Sequence, residues 1–306
     1  NIFRQRRRSL LTGLSMTGGY ILFVFSYSLL EGSYSGIIDI FTLDNTGHIQ
    51  IHKDDYLDRP KIYKSIQAST ELENYLSNHD EVLSFTPRVF SPALAYAGDK
   101  TVPSRVIGVD PTLEPKVTRL EEKVSDGKYF DTSPNADGYF QSMIGKGVAI
   151  SLDLEIGDEI ILISQGADGS IANDIFSVSA VIGNRTSFDR MAVYLPLSAA
   201  QEFLSLGNDL HEYAILVHDD KNNEKIARVL QEQLPNLTVS PWQIVEATFY
   251  RTMQSDKQGN YFGMALVVFI VFIGVLNTVL MSVLERTREF GVLRSIGCRP
   301  GELVKM

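Results

Sequence analysis

Gln258-Gly-Asn-Tyr-Phe-Gly-Met-Ala-Leu-Val-Val-Phe-Ile-Val-Phe-Ile-Gly-Val-Leu-Asn-Thr-Val-Leu-Met-Ser-Val-Leu284 is a run of 27 residues without a formal charge. A helix rising 1.5 Å per residue needs about 20 residues to cross a hydrocarbon layer of roughly 30 Å, so this run can span a bilayer. Phe, Val, Ile and Leu fall on every face of it, unlike a core helix of a soluble domain. A second uncharged run, Ser9 to Leu30, has 22 residues. The chain of 306 residues is 44% apolar and 21% charged, which excludes both a disordered tail and a polytopic bundle throughout. Its near-zero mean hydropathy averages two spans with a charged remainder.

The charge separates along the same boundaries. Residues 1–9 carry Arg4, Arg6, Arg7 and Arg8 and no acid, and residues 285–306 carry five cations against three acids. Residues 31–260 then hold 19 cations and 34 acids, a net of −15 within a chain of net −9. Short Lys/Arg-rich flanks stay in the cytoplasm, so both ends of the chain are expected inside and the acidic middle outside. So acidic an exterior argues against nucleic acid as its partner. A cleaved signal peptide is the alternative for the first run. Its apolar stretch exceeds the usual 7–15 residues and no small-x-small site precedes Glu31-Gly32, so a retained anchor is expected. The lone cysteine, Cys298, falls on the cytoplasmic side, and the exterior has none to form disulfides.

The expected fold class is a membrane protein: transmembrane helices plus a mixed α/β (α+β) exterior domain of two subdomains, one interrupting the other, carried on stalk helices. The boundaries are a basic terminus at 1–9, a span at 10–30, the exterior domain at 31–257, a span at 258–284 and a cytoplasmic segment at 285–306. Tyr34, Ile37, Ile38 and Phe41 form one helical stripe, and Val245, Phe249 and Met253 recur every four residues, placing stalk helices at about 31–44 and 243–257. Two such helices facing each other would carry motion rigidly. Between them, His48 to His52 alternates as a strand, and Thr70-x-x-Glu73 reads as a capping box. Residues 82–110 are β-rich, 148–182 read as a short helix and a hairpin, and 192–239 as a β-α-β-α-β succession. Its first helix is expected to be capped by Ser198-x-x-Gln201 and closed at Gly207.

Catalytic or metal chemistry finds no anchor in this exterior. In a strand, His48 and His52 share a face but lie roughly 13 Å apart at ~3.3 Å per residue, too far to hold one ion. Only a helical reading would join them, and two surface imidazoles are expected. Asp153, Glu155, Asp158 and Glu159 crowd together without the order of a calcium loop, and a solvated acidic face is expected. Neither G-x-S-x-G nor a glycine loop ending in G-K-S/T occurs, so an enzyme is disfavoured and no cofactor is expected on this chain.

Beyond the second span the chain reads Leu284-Glu-Arg-Thr-Arg-Glu-Phe-Gly-Val-Leu-Arg-Ser-Ile-Gly-Cys-Arg299. Glu285, Arg286, Arg288 and Glu289 make a charge-dense turn able to pair at i,i+3 and i,i+4, and Gly291 and Gly297 are expected to break the helix. A short kinked helix at the bilayer surface suits contact with a cytoplasmic partner, although a plain stop-transfer flank has the same composition. This segment resembles the cytoplasmic signature of the MacB/LolC/LolE/FtsX class of ABC-transporter permeases. Phe3-Arg-Gln-Arg-Arg-Arg-Ser-Leu-Leu-Thr12 is similar to their approach to the first span. Thr46-Gly-His-Ile-Gln-Ile-His52 resembles LolE-like members, the subgroup favoured. Phe290 stands where the family usually has Ile.

The resemblance implies a bacterial inner-membrane location, a periplasmic middle domain and four spans, so that the chain is the front part of a longer permease. It implies a non-catalytic subunit, with ATP-Mg used by a partner ABC ATPase. It also implies a second permease copy or paralogue, a possible periplasmic lipoprotein carrier or membrane-fusion protein, and contact with membrane lipids. The segment coupled to the ATPase would comprise Glu285, Arg286, Arg288, Glu289, Gly291, Arg294, Gly297 and Arg299, with the coupling stretch running on to Lys305. The implied cargo is lipoprotein or another lipophilic substrate, with drug, peptide or siderophore export as the alternative. From a different class, a two-span sensor would need a heptad linker after the second span, which Gly291, Gly297 and Pro300-Gly301 interrupt.

Overall fold

The structure, a computed structural model, describes residues 6–299 and Gly301. Two compact units emerge: one takes the first helix up to Gly36 and the chain from Thr248 onward, the other is Ile37–Ala247.

In the first unit, α1 (Arg6–Phe41) and α8 (Ala247–Glu285) are both uninterrupted helices. The most apolar window of α8 has mean hydropathy 2.7 and none of it is buried, which sets it apart from the core helix of a soluble protein. Large side chains such as Leu22, Phe25, Phe262 and Phe269 stand exposed along both helices, as a lipid-facing surface requires. Polar groups join the helices at one level. The Tyr34 hydroxyl donates to Asp256 at 2.9 Å, Lys257 pairs with Glu31 at 3.2 Å, and the Lys257 ammonium sits 5.7 Å above the Tyr34 ring. The expected break at Gly291 is not where the chain bends. The bend falls at Arg286, between α8 and α9 (Thr287–Ser295), and α9 runs straight through Gly291. A helix tolerates an interior glycine at about 1 kcal/mol, whereas Gly297 takes φ +102° and does end the element.

The second unit begins with the end of α1, which passes into a π-turn, Thr42–Thr46, and it closes with a short helix before Ala247. Its strands are β1 (Ile49–His52), β2 (Ile66–Gln67), β3 (Val82–Ala97), β4 (Lys100–Val109), β5 (Val124–Gly127), β6 (Gln141–Gly145), β7 (Glu159–Gln165), β8 (Ile171–Ile182), β9 (Ala192–Pro196), β10 (Asp209–Leu210), β11 (Glu212–Val217) and β12 (Thr238–Pro241). Its helices are α2 (Thr70–Ser77), α3 (Glu114–Val117), α4 (Lys146–Leu152), α5 (Leu197–Phe203), α6 (Asn223–Gln233) and α7 (Trp242–Val245). Ten strands form one sheet in the order β12-β1-β11-β3-β4-β9-β6-β8-β5, with β7 bridging β3 and β8. The hydrogen-bonded neighbours β3-β4-β9-β6-β8-β7 therefore close on themselves, and β12-β1-β11 extends from β3 as an open wing. The interruption expected from the sequence is visible, since residues 100–196 supply the ring between the wing strands. The two halves share β3 and one sheet.

β3 is 16 residues long because it serves both halves. It pairs with β11 from Val82 to Arg88 and with β7 from Leu94 to Tyr96, while β4 lines its other edge from Arg88 to Ala97. Pro92 falls in the stretch between β11 and β7, where a missing N–H leaves no ladder bond unmade on that side. The main core packs α2, α4, α5 and α6 against the sheet around Ile49, Ile51, Val89, Leu162, Phe176, Leu195 and Tyr213.

Both expected caps differ. Thr70 lies inside α2, whose N-cap is Ser69, and Glu73 accepts from the Tyr213 hydroxyl at 3.1 Å. Ser198 lies inside α5, which begins directly after β9 at Pro196, and Gln201 donates to the Asp209 carbonyl at 3.0 Å. Packing against the sheet starts these helices and recruits the capping side chains elsewhere. The stalk expected from residue 243 is also split: Val245 ends α7, Glu246 departs from helical geometry (ψ 45°), and α8 starts at Ala247. Phe249 and Met253 lie on α8, with Met253 buried. Of the first stripe, Tyr34 is buried, Ile38 and Phe41 are half-buried, and Ile37 is exposed. The Phe41 ring meets Phe188 at 5.7 Å.

Candidate functional site

The most unusual chemistry of the Ile37–Ala247 unit lies where β3 leaves β11. Arg88, the last β3 residue paired with β11, is buried between two carboxylates. Its guanidinium forks onto Glu114 through Nε at 3.0 Å and Nη2 at 2.6 Å, and Nη1 donates to Glu212 at 3.0 Å and to the Asn45 carbonyl at 2.6 Å. Thr118 donates to Glu114 at 2.7 Å. Glu212, opposite Arg88 across the β3–β11 ladder, meets His52 Nε2 at 3.2 Å through its second oxygen. A bidentate arginine with both Nη1 donors also filled is the arrangement in which buried charge is tolerable. Burial works against the Glu212 carboxylate, but His52 and Arg88 outweigh it and hold its pKa below the ordinary value. Burial likewise opposes the Arg88 charge and is outweighed by Glu114 and Glu212, so its pKa is raised.

The two histidines expected at the surface are buried instead, His48 at 8% and His52 at 1% exposure. β1 is an inner strand, flanked by β11 and β12, so its residues are covered on both sides. His48 Nδ1 accepts from the Val217 N–H at 3.2 Å. His52 joins a stack in which Tyr56 lies between it and His211, with ring centroids 5.5 and 5.1 Å apart. His211 replaces the strand neighbour that β3 lacks past Arg88. Its Nδ1 accepts from the Phe90 N–H at 3.0 Å, so its Nε2 carries the proton and donates to the Ile62 carbonyl at 2.9 Å. Burial lowers the pKa of both His48 and His211.

Arg88, Glu212, His52 and Tyr56 among these groups line a cavity of about 590 Å³. Arg88, Glu212 and His52 lie on its polar side, Tyr56, Ile62 and Phe90 on its apolar side, and Lys61 and Arg105 among its outer residues. The volume is in the range of small-molecule pockets. Asn45 and Thr46 of the π-turn and Val245 and Glu246 at the end of α7 complete the wall. A second buried contact, Lys123 with Asp189 at 2.7 Å, also ties Lys123 to the Asp44 carbonyl, while Tyr194 donates to Asp189 at 3.0 Å. The acidic residues Asp153, Glu155, Asp158 and Glu159 are all exposed, as expected.

The network is absent from the sequence reading. Its faint signals are Arg88 inside the β-rich run Phe85-Thr-Pro-Arg-Val-Phe90 and Glu212 opening a strand of otherwise apolar residues. At the other end of the chain, Glu285 closes α8, Arg286 occupies the bend, and Arg288, Glu289, Gly291 and Arg294 lie on α9. Arg286 and Glu289 approach to 3.7 Å, the expected i,i+3 spacing. Glu285, Arg286, Arg288, Glu289, Gly291, Arg294, Gly297 and Arg299 are all exposed, while Phe290, Leu293 and Cys298 between them are half-buried; Lys305 lies outside the described residues.

Comparison with known proteins agrees with this layout. The MacB-like periplasmic core domain matches residues 9–233, and the FtsX-like permease C-terminal domain matches 261–306. The lipoprotein-releasing system transmembrane protein LolC of Neisseria meningitidis is 20% identical over 77% of this chain and 58% of its own length. LolE of Haemophilus influenzae is 24% identical over 74% of this chain and 55% of its own length. The macrolide export ATP-binding/permease protein MacB of Shewanella is 23% identical over 98% of this chain and 47% of its own length. The chain thus spans a little over half the length of the lipoprotein-releasing relatives. The periplasmic region of MacB from Actinobacillus actinomycetemcomitans superposes with a TM-score of 0.46 at 15% identity, covering 69% of this chain and 95% of that one. With an α/β core domain set between two long apolar helices, this chain belongs to the MacB-like family of ABC-transporter permeases.

Proposed function

We propose that this chain is the permease subunit of an inner-membrane ABC transporter that releases lipoproteins or another lipophilic cargo from the periplasmic side. The reading rests on one observation: a periplasmic-core match over 9–233 is followed by an FtsX-like match at 261–306 that takes in most of α8 and all of α9. ATP-Mg would be used by a partner ATPase on the cytoplasmic side, where α9 presents Arg288, Glu289 and Arg294. Nucleotide-driven movement there would pass along α8 to the Ile37–Ala247 unit. Both ends of α1 and α8 away from that unit would be cytoplasmic, with a second permease copy or a paralogue completing the transporter. The relatives that release lipoproteins support that cargo, while the similarity to MacB and to the pyoverdine export protein PvdT of Pseudomonas fluorescens favours export of a small molecule as the second reading.

The test is reconstitution of the native complex after affinity purification from membranes. Replacing Arg294 and Arg299 together by Glu is expected to reduce cargo-stimulated ATP hydrolysis at least tenfold while leaving the thermal unfolding of the exterior unit unchanged. Undiminished stimulation would sink the coupling role, and failure of any ATPase to co-purify would sink the reading as a whole. A lipoprotein trapped in the complex would favour release; a bound small molecule would favour export.

A further inference from the structure

The cavity beside β3 has features that the transport reading does not use. It opens in the gap where β3 has parted from β11 and has not yet met β7, and its volume of about 590 Å³ suits a ligand of one or two rings. Its floor contains a buried polar atom in want of a partner: His52 Nδ1 makes no hydrogen bond, although the ring is 1% exposed and its Nε2 is held by Glu212. Buried polar atoms are rarely left so. At the outer side stand two cations. Arg105 lies 5.7 Å from the Phe90 ring centroid, and neither it nor Lys61 is paired with a carboxylate among the described residues. Two acids line the cavity: Glu212, which Arg88 and His52 already hold, and Glu246, whose pKa burial raises, which lessens its opposition to an incoming anion. Arg88 offers no free charge, since all its donors to this side are taken by Glu114, Glu212 and Asn45.

The geometry points to a binding site for an anionic amphiphile: an apolar or aromatic body against Tyr56, Ile62 and Phe90, with its anionic head at Arg105 and Lys61. Such an occupant would touch Asn45–Thr46 and Val245–Glu246 together, the first and last segments of the unit, and so would bias their spacing. Binding itself does not depend on which cargo the transporter moves, or on its moving any.

The test uses the full chain in phosphatidylcholine nanodiscs, with empty discs as background, titrated calorimetrically with naphthalene-2-carboxylate. Saturable binding at one site is expected, at least tenfold weaker for the neutral 2-naphthamide. R105E and K61E, both at exposed side chains, should each weaken the carboxylate at least tenfold, while K128E on the exposed β5–β6 connection should leave it unchanged. Discs containing phosphatidylglycerol separate the two sources of such a group. Weakened binding there identifies a lipid headgroup as occupant; unchanged binding identifies a free molecule, and either supports the site. No saturable binding, equal binding of the amide, or indifference to both R105E and K61E would overturn it. None of those results would bear on ATPase coupling.

Discussion

Arg88 is one cation shared by two buried carboxylates, so its removal leaves Glu114 with only the Thr118 hydroxyl and Glu212 with only His52. R88M is expected to cost about 3–5 kcal/mol in denaturant unfolding of the purified chain, the range for breaking a buried pair from one side. R228A, at an exposed pair of 4.0 Å with Glu224, should stay within about 0.5 kcal/mol. The histidines set the pH response. The fold holds His48 and His211 in their neutral forms, with pKa values below the ordinary 6.5. Below that pH the unfolded chain binds the extra protons, so stability is complete above about 6.5 and declines as the pH falls toward the folded values. Glu212, also depressed, adds to the loss only below the ordinary carboxylate value of 4.5. The melting temperature should therefore fall between pH 6.5 and 5, and H211Q should flatten that fall; a flat profile in the unmodified protein would count against the assignment. Sequence alone misplaced His48 and His52, both buried, because strand alternation reports which face a residue shares, and carries nothing about what will cover that face.

At the scale of elements, glycines mark where layers touch. Gly108 on β4 faces α5 so closely that a β-carbon would run into the Ala200 side chain and crowd Val89. G108V is expected to destabilise the unit by about 2–3 kcal/mol, as overpacking of a filled core does, and a thermal shift of a few degrees would register it. Gly47, at φ +71°, turns the chain from the π-turn into β1 and would put a β-carbon 3.0 Å from the Ile215 carbonyl. Much of the element order was legible. The strand at 212–217, the helix and hairpin within 148–182 and the helix stopped before Pro235 follow from periodicity and turn residues, which act within a few positions. The caps at Thr70 and Ser198 were misread because Glu73 and Gln201, their expected partners, bond to Tyr213 and to the Asp209 carbonyl instead. The closure of six strands into a ring was invisible for a related reason. It depends on β7 meeting β3 across more than sixty residues, and no local pattern encodes a partner that distant.

For the molecule as a whole, β3 makes the wing and the ring of one sheet parts of a single structure. Hydrogen exchange should show the amides of β1, β3, β4 and β11 losing protection together, with one free energy of opening; separate openings for 212–241 and 100–196 would show two independent units instead. The bipolar charge pattern and the two long apolar helices were plain in the sequence, while the buried ion network that lies under β3 was not. The shared strand also bears on how the protein is made. β1 and β3 are synthesised early, yet β11, which lies between them, and β12, on the far side of β1, come only at 212–241, so the wing is unpaired until nearly the whole of the Ile37–Ala247 unit has been made. At synthesis rates of about 5–20 residues per second, that interval is on the order of ten seconds or more. During it Ile49-Gln-Ile-His52 and the first half of β3 are bare edges, the state in which unpaired strands are open to aggregation, so the wing is the part of the sheet exposed longest before it closes.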